Sequence, residues 1–213
     1  MKIILASGSP RRRQLLEQVG LAFDVVVSDA DETIDGEPYE QVAALARRKA
    51  EATLPLVSGE SLIIAADTLV YAENRNGAGK VLGKPRDAED AYDMLQTLQG
   101  RKHTVYTGVA ILRNNGVGVS GGTSVGSVVM GSAAPEINVF VDAAYVYFRP
   151  LTDREIRAYI ATGEPFDKAG AYGIQEKGAL LIERIEGDFY TVMGLPISKL
   201  CIQLEEMGVP VWK

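Results

Sequence analysis

The sequence predicts an α/β fold in which two lobes share one sheet. Three observations carry this expectation. The chain opens on a short apolar run, Lys2 to Ala6, followed at once by small residues and a helical pattern. Strand-like apolar runs and amphipathic helical stretches then alternate along the 213 residues. No linker divides them, so one domain over residues 1–213 is expected, with a flexible Gly- and Ser-rich stretch at about 114–136.

Lys2 to Ala6 suits a buried strand. Ser9 and Pro10 read as an N-cap and a first helical residue, and Gly20 as the stop. Leu15, Leu16 and Val19 make the inward stripe of that helix. Arg11, Arg12 and Arg13 fill its first turn, where the helix dipole disfavours a cation by roughly 0.3–1 kcal/mol per charge. A bound anion reverses that sign, so a phosphate cradle of backbone N–H groups, hydroxyls and guanidiniums is one reading. A solvated basic turn is the other. On the first, replacing Arg11 and Arg12 by glutamine leaves the ligand-free midpoint unchanged or raised.

Phe23 to Val27 is a second strand. Ser28 to Pro38 is an acidic turn region that includes Glu32 and can offer oxygen ligands to a hard cation. Glu40 to Thr53 is a helix with Val42, Leu45 and Ala46 facing inward. Lys49 follows Leu45 by four and Ala46 by three, so it shares that face. A lysine there either snorkels to the rim or has a partner. Leu62 to Ala66 is the most strand-like run and ends in Asp67-Thr68, which places a carboxylate just past the end of a buried strand. Asn74 to Lys80 reads as a hairpin tip, and Leu82-Gly83-Lys84-Pro85 brings another lysine near it.

Ala88 to Leu98 is a helix closed by Gly100, and Thr104 to Leu112 a strand, with His103 at its start read as structural. Gly116 to Gly121 is a formal GxGxxG, but no amphipathic helix follows, so a flexible loop fits better. Ile137 to Arg149 is a strand. Asp153 to Thr162 is a helix capped by Thr152 or Asp153 and ended by Gly163. Gly163 to Gln175 is a close-approach loop of small and charged residues. Leu180 to Ile185 is a strand, and Gly194-Leu195-Pro196 opens a last helix to about Met207.

Composition narrows the function. Hydrophobic residues at 46% and charged residues at 23% describe an ordinary globular chain. A net charge of −6 argues against nucleic acid and anionic membranes as partners. The single cysteine, Cys201, allows no internal disulfide and fits a reducing, cytoplasmic setting. No apolar run can span a membrane, and Arg11 to Arg13 interrupt anything resembling a signal peptide. One histidine excludes a zinc site built on several His and Cys.

Taken together, Leu5 to Arg12, Ala66-Asp67-Thr68, Gly83 to Asp87, Gly163-Glu164-Pro165, Asp167 to Gln175 and Gly194-Leu195-Pro196 resemble the Maf family, in order along nearly the whole chain. The resemblance implies a twisted mixed β-sheet flanked by helices, two lobes around a central cleft, of the Maf/ITPase-like kind. It implies a nucleoside triphosphate pyrophosphatase that cuts between the α- and β-phosphates. It assigns Asp67 as catalytic base; Ser7, Arg12, Lys49 and Lys84 to the phosphates; and Glu32 with Asp67 to a divalent cation, Mg²⁺ or Mn²⁺. Arg11, Thr68 and Gln175 match the family's pyrimidine-selective group, for dTTP and UTP, rather than the group resembling 7-methyl-GTP pyrophosphatases. Glu176 departs from the glycine the family often has there. The partner expected is a nucleoside triphosphate, with a homodimer left open as an assembly.

The rival from another class is a nucleotide-binding regulator of division that uses the same cradle without turnover. A carboxylate facing a polyanion separates the two, because pure binding is weakened by it. A dinucleotide-dependent oxidoreductase rests on the GxGxxG alone.

Overall fold

The first strand, β1 (Lys2–Leu5), forms because Ile3, Ile4 and Leu5 are all buried, which an interior strand permits and an edge strand does not. It pairs in parallel with β2 (Asp24–Val25) on one side and β3 (Glu60–Glu73) on the other. The computed structural model describes residues 1–73, 79–116 and 135–212. In them β4 (Gly79–Leu82), β5 (Lys102–Asn115), β6 (Glu136–Phe148) and β7 (Ile182–Glu186) complete one mixed sheet of order β2-β1-β3-β5-β6-β7, with β4 paired to β3. All pairs beyond β1 are antiparallel. The helices are α1 (Pro10–Gln18), α2 (Pro38–Thr53), α3 (Ala88–Leu98), α4 (Asp153–Ile160), α5 (Phe189–Met193) and α6 (Ile197–Glu206). Among the described residues no helix is long and apolar enough to cross a membrane.

Alternation along β3 sorts the core. Leu62, Ile64 and Ala66 face α1 and α6, and Ile63 and Ala65 face α2. Further along, Val70 and Ala72 pack with α3 and α4. Three expectations needed correction here. The second strand is two residues rather than five, because β1 ends at Leu5 and leaves Val27 nothing to pair with. The strand through Leu62 does not stop at Ala66: β5 pairs with it continuously from Glu60 to Tyr71, so Asp67 and Thr68 sit inside a strand. A short helix, α5, precedes the last one, capped by Asp188 through its bond from the Tyr190 amide. All but Gly116 of the GxGxxG stretch, most of the insertion at about 114–136 and most of the tip at Asn74 to Lys80 fall outside the described residues; β5 reaches Asn115 and β6 begins at Glu136.

That continuous strand explains where the chemistry collects. β1 pairs with β3 only to Ile64, and β4 begins only at Val70. Between them, Ala65 to Leu69 have no strand on that edge among the described residues. Side chains from both sheet faces reach this gap: Asp67 on the α2 face, Thr68 on the α1 face. Across the sheet, Asp67 pairs with Gly108 of β5. A Cβ built at Gly108 would stand 2.3 Å from the Val42 carbonyl oxygen of α2. Glycine here is what lets α2 lie directly on the sheet beside Asp67.

His103 is structural, as expected. It is buried, packs edge-to-face with Phe148 and Tyr172, and its Nε2 lies 2.7 Å from the Tyr172 hydroxyl. Burial pulls its pKa from 6.5 down to about 3, and a buried, unpartnered Nδ1 leaves a second proton no acceptor. The neutral ring is thus a property of the fold, whereas the unfolded chain binds a proton below about 6.5. Stability is therefore intact above pH 6.5 and erodes as pH falls from there toward 3, by at most about 1.4 kcal/mol per unit. Urea unfolding between pH 6.5 and 4.5 should show this slope, and His103→Gln should flatten it. A slope unchanged in that variant would refute the assignment.

Candidate active site

The turn from β1 into α1 brings Ser7 and the α1 N-terminus to the gap. Ser9 sits at the N-cap position, yet its side chain makes no capping bond; its amide instead donates to Ser7 Oγ at 3.2 Å. No side chain therefore covers the first amides of the helix, which leaves that end open to an anion.

Arg12 enters the gap, but it is not idle without a ligand. Its Nε donates to the Gly194 carbonyl (2.8 Å), one terminal nitrogen to Ser7 Oγ (3.1 Å) and the other to Thr68 Oγ1 (3.2 Å). Burial lowers its pKa, with the Asp67 charge opposing and Arg11 assisting. Arg11 forms a half-exposed ion pair with Asp167 at 3.1 Å. The expectation that both arginines are merely tolerated in the free protein is corrected: Arg12 ties α1 to β3 and to the chain beyond α5. Arg12→Gln should lower the ligand-free midpoint by the equivalent of about 1–3 kcal/mol. Arg11→Gln should change it by less than about 1 kcal/mol, as an exposed pair does. Calorimetry on the two single variants checks this, and equal midpoints would contradict it.

Lys49 does not snorkel. Its ammonium lies 2.6 Å from Asp67 Oδ1 and 2.8 Å from Glu32 Oε1. Lys49 and Asp67 are only 16% and 15% exposed, and Glu32, on the loop, is mostly exposed. The Lys49 bond holds the Glu32 carboxyl below its usual range against a desolvation that raises it; the charges of Lys84 and Arg12 add to the effect. Lys84 itself is exposed, in the turn after β4.

Gln175 lines the same space from the loop after α4. The following residue, Glu176, has φ +55°, a left-handed conformation that accounts for glycine suiting this position. Lys168 of the same loop donates to the Glu164 carbonyl and to Asp167 Oδ1, each at 2.6 Å. Burial works to raise the Asp167 carboxyl, but Lys168 and Arg11 outweigh it and hold it low.

Ser7, Arg11, Arg12, Glu32, Lys49, Asp67, Thr68, Lys84 and Gln175 thus border one cleft of about 1000 Å³. Every residue expected at the site lines this cleft. Three contributors were missed. Lys168 lay within the loop that had been singled out. Gly108 is a lone glycine in a strand pattern, which is the usual sign of a close backbone approach. Thr107, buried between Thr68 and Thr191, carries no local signal in a β-branched run. Among the described residues no cluster of three or more His, Cys, Asp or Glu could hold a metal alone. Glu32 and Asp67, whose carboxylates both reach the Lys49 ammonium, are the kind of oxygen donors that would suit a hard divalent cation.

A family model described as "Maf-like protein" matches residues 2–207. The chain is 42% identical, over 100% of its length and 98% of the relative's, to a protein of Caldicellulosiruptor saccharolyticus named dTTP/UTP pyrophosphatase. It is 45% identical, over 98% of its length and 100% of the relative's, to one of the same name from Carboxydothermus hydrogenoformans. Among solved structures, a HAM1 protein from Coxiella burnetii aligns over 97% of this chain and 99% of that one, with a TM-score of 0.45 and 18% identity, too remote to bear on the site.

Proposed function

The chain belongs to the Maf family, and from that premise we propose that it hydrolyses dTTP and UTP to the nucleoside monophosphate and pyrophosphate. The observation that carries this reading is Asp67, a carboxylate 2.6 Å from the Lys49 ammonium in a cleft that Arg11, Arg12, Lys84 and Lys168 also line. Without a cation to screen it, a negative charge there weakens binding of a triphosphate, whereas attack by water requires an acceptor there.

Water attacks the α-phosphorus, the bridging bond to the β-phosphate breaks, and pyrophosphate leaves. Asp67 orients the water and accepts its proton. Lys49, which donates to Asp67 in the free protein, turns to a phosphate oxygen and frees that carboxylate oxygen for the water. Arg12 and Lys84 hold the phosphates by charge-assisted contacts, and Ser7 with the open α1 N-terminus adds neutral donors. Glu32 and Asp67 would hold Mg²⁺ or Mn²⁺, which supplies Lewis-acid relief of the charge on the phosphate oxygens. Gln175, with a donor and an acceptor on one amide, reads the pyrimidine edge, helped by Arg11 and Thr68.

Pyrophosphate release should be measured over dTTP, UTP, ATP, GTP and 7-methyl-GTP, with and without Mg²⁺ or Mn²⁺. Turnover led by dTTP and UTP, and dependent on the cation, is expected. A profile led by a purine or by 7-methyl-GTP would overturn the substrate assignment, and no turnover of any would favour the regulator.

A further inference from the structure

A closed ring of hydrogen bonds lies behind Arg12. Arg12 donates to the Gly194 carbonyl and to Thr68 Oγ1. Thr107 Oγ1 donates to the Thr191 carbonyl at 2.8 Å, and that carbonyl also accepts the Gly194 amide at 3.1 Å. Thr68 and Thr107 hydroxyl oxygens stand 2.9 Å apart. A hydroxyl has one proton to give. That of Thr107 goes to the Thr191 carbonyl, so Thr68 must be the donor to Thr107. Thr68 therefore turns a lone pair, not a proton, toward the guanidinium. Thr107 is fully buried, so no water can take its place.

We infer that Thr107 is a positioning residue for Arg12: by accepting the Thr68 proton, it fixes the acceptor that aims the guanidinium at the phosphates. This rests on the reading of Arg12 as a phosphate clamp. It also assigns Thr68 a route of action. With its only proton committed inward, Thr68 has none to give to a base and can only accept from one, with the lone pair that Arg12 leaves free.

Thr107→Val keeps the shape and removes the hydroxyl; Thr107→Ser keeps the hydroxyl and removes the methyl. Affinity for inorganic tripolyphosphate, by calorimetry well below the midpoint, reads Arg12 without requiring turnover. Thr107→Val should weaken it about fivefold or more, the size of one net hydrogen bond, and raise the dTTP KM in step. Thr107→Ser should stay within twofold of the unmodified protein even if its midpoint falls. Thr68→Val combined with Thr107→Val should be no weaker than the worse single variant, because both cut one chain. Wild-type affinity in Thr107→Val, or loss in Thr107→Ser equal to that in Thr107→Val, would overturn the inference. An unmodified protein that binds tripolyphosphate through Thr107 yet turns over no nucleotide would sink the proposed activity and keep the ring. One that binds no tripolyphosphate would sink both.

Discussion

Asp67→Asn is expected to lower kcat for dTTP by roughly 10²–10⁴-fold, the range for loss of a general base, while nucleotide still binds. The amide occupies the same space in β3 and removes one of the two carboxylates that Lys49 contacts, leaving the ammonium with Glu32 at 2.8 Å. The fold should persist, because the strand pairing of residue 67 with Gly108 uses backbone alone. Binding of a non-hydrolysable dTTP analogue without added metal should hold or tighten, since a negative charge has left the neighbourhood of a polyanion. Steady-state kinetics and titration of the purified variant decide the matter. A kcat within threefold of the unmodified enzyme would remove Asp67 from the mechanism.

The second large effect is expected at a residue that carries no charge but sits across the sheet from Asp67. Gly108→Ala sets a methyl group 2.3 Å from a backbone oxygen of α2, a contact that no rotamer change can relieve. The helix must move off the sheet or β5 must bend. Overpacking of this kind costs about 1–3 kcal/mol or more, which for a chain of this size lowers the midpoint by roughly 2–12 °C. Turnover should fall further than the folded fraction does, because a displaced α2 withdraws Lys49 from Asp67 and Glu32. Scanning calorimetry beside kinetics at a temperature where the variant is fully folded tests both halves. A midpoint within 1 °C of the unmodified protein, with unchanged kcat, would mean that the helix does not rest on this glycine.

Around Asp67 and Gly108, part of the site was legible in the sequence and part was not. Lys49 was legible because helical spacing places it on the Val42–Leu45–Ala46 stripe, and an ammonium on an apolar stripe needs a partner. Its partners were not legible, since Asp67 and Glu32 come from a strand and a loop that only the folded sheet brings near. Asp67 was found for a partly mistaken reason. The apolar run ends at Ala66, but the strand continues, because β5 supports it where β1 no longer does. Periodicity reports which face a residue takes and says nothing about how long each neighbour lasts. Arg12 showed the reverse: its charge looked misplaced against the helix dipole, and besides the nearby Ser7 two distant acceptors, Gly194 and Thr68, invisible in local sequence, already hold it. The helix α5 escaped because five residues are too few to show a period.

The gap between β1 and β4 carries one more consequence. Along Ala65 to Leu69, β3 has no strand beside it among the described residues. A bare sheet edge is ordinarily an invitation to another molecule's strand, and so to self-association. Here the stretch is short, is bounded at both ends by paired strands, and lies along a cleft lined with charged side chains. An incoming chain would have to thread between β1 and β4 to pair with it. The enzyme can thus keep unpaired backbone where small ligands gather and still be protected from templating its own aggregation.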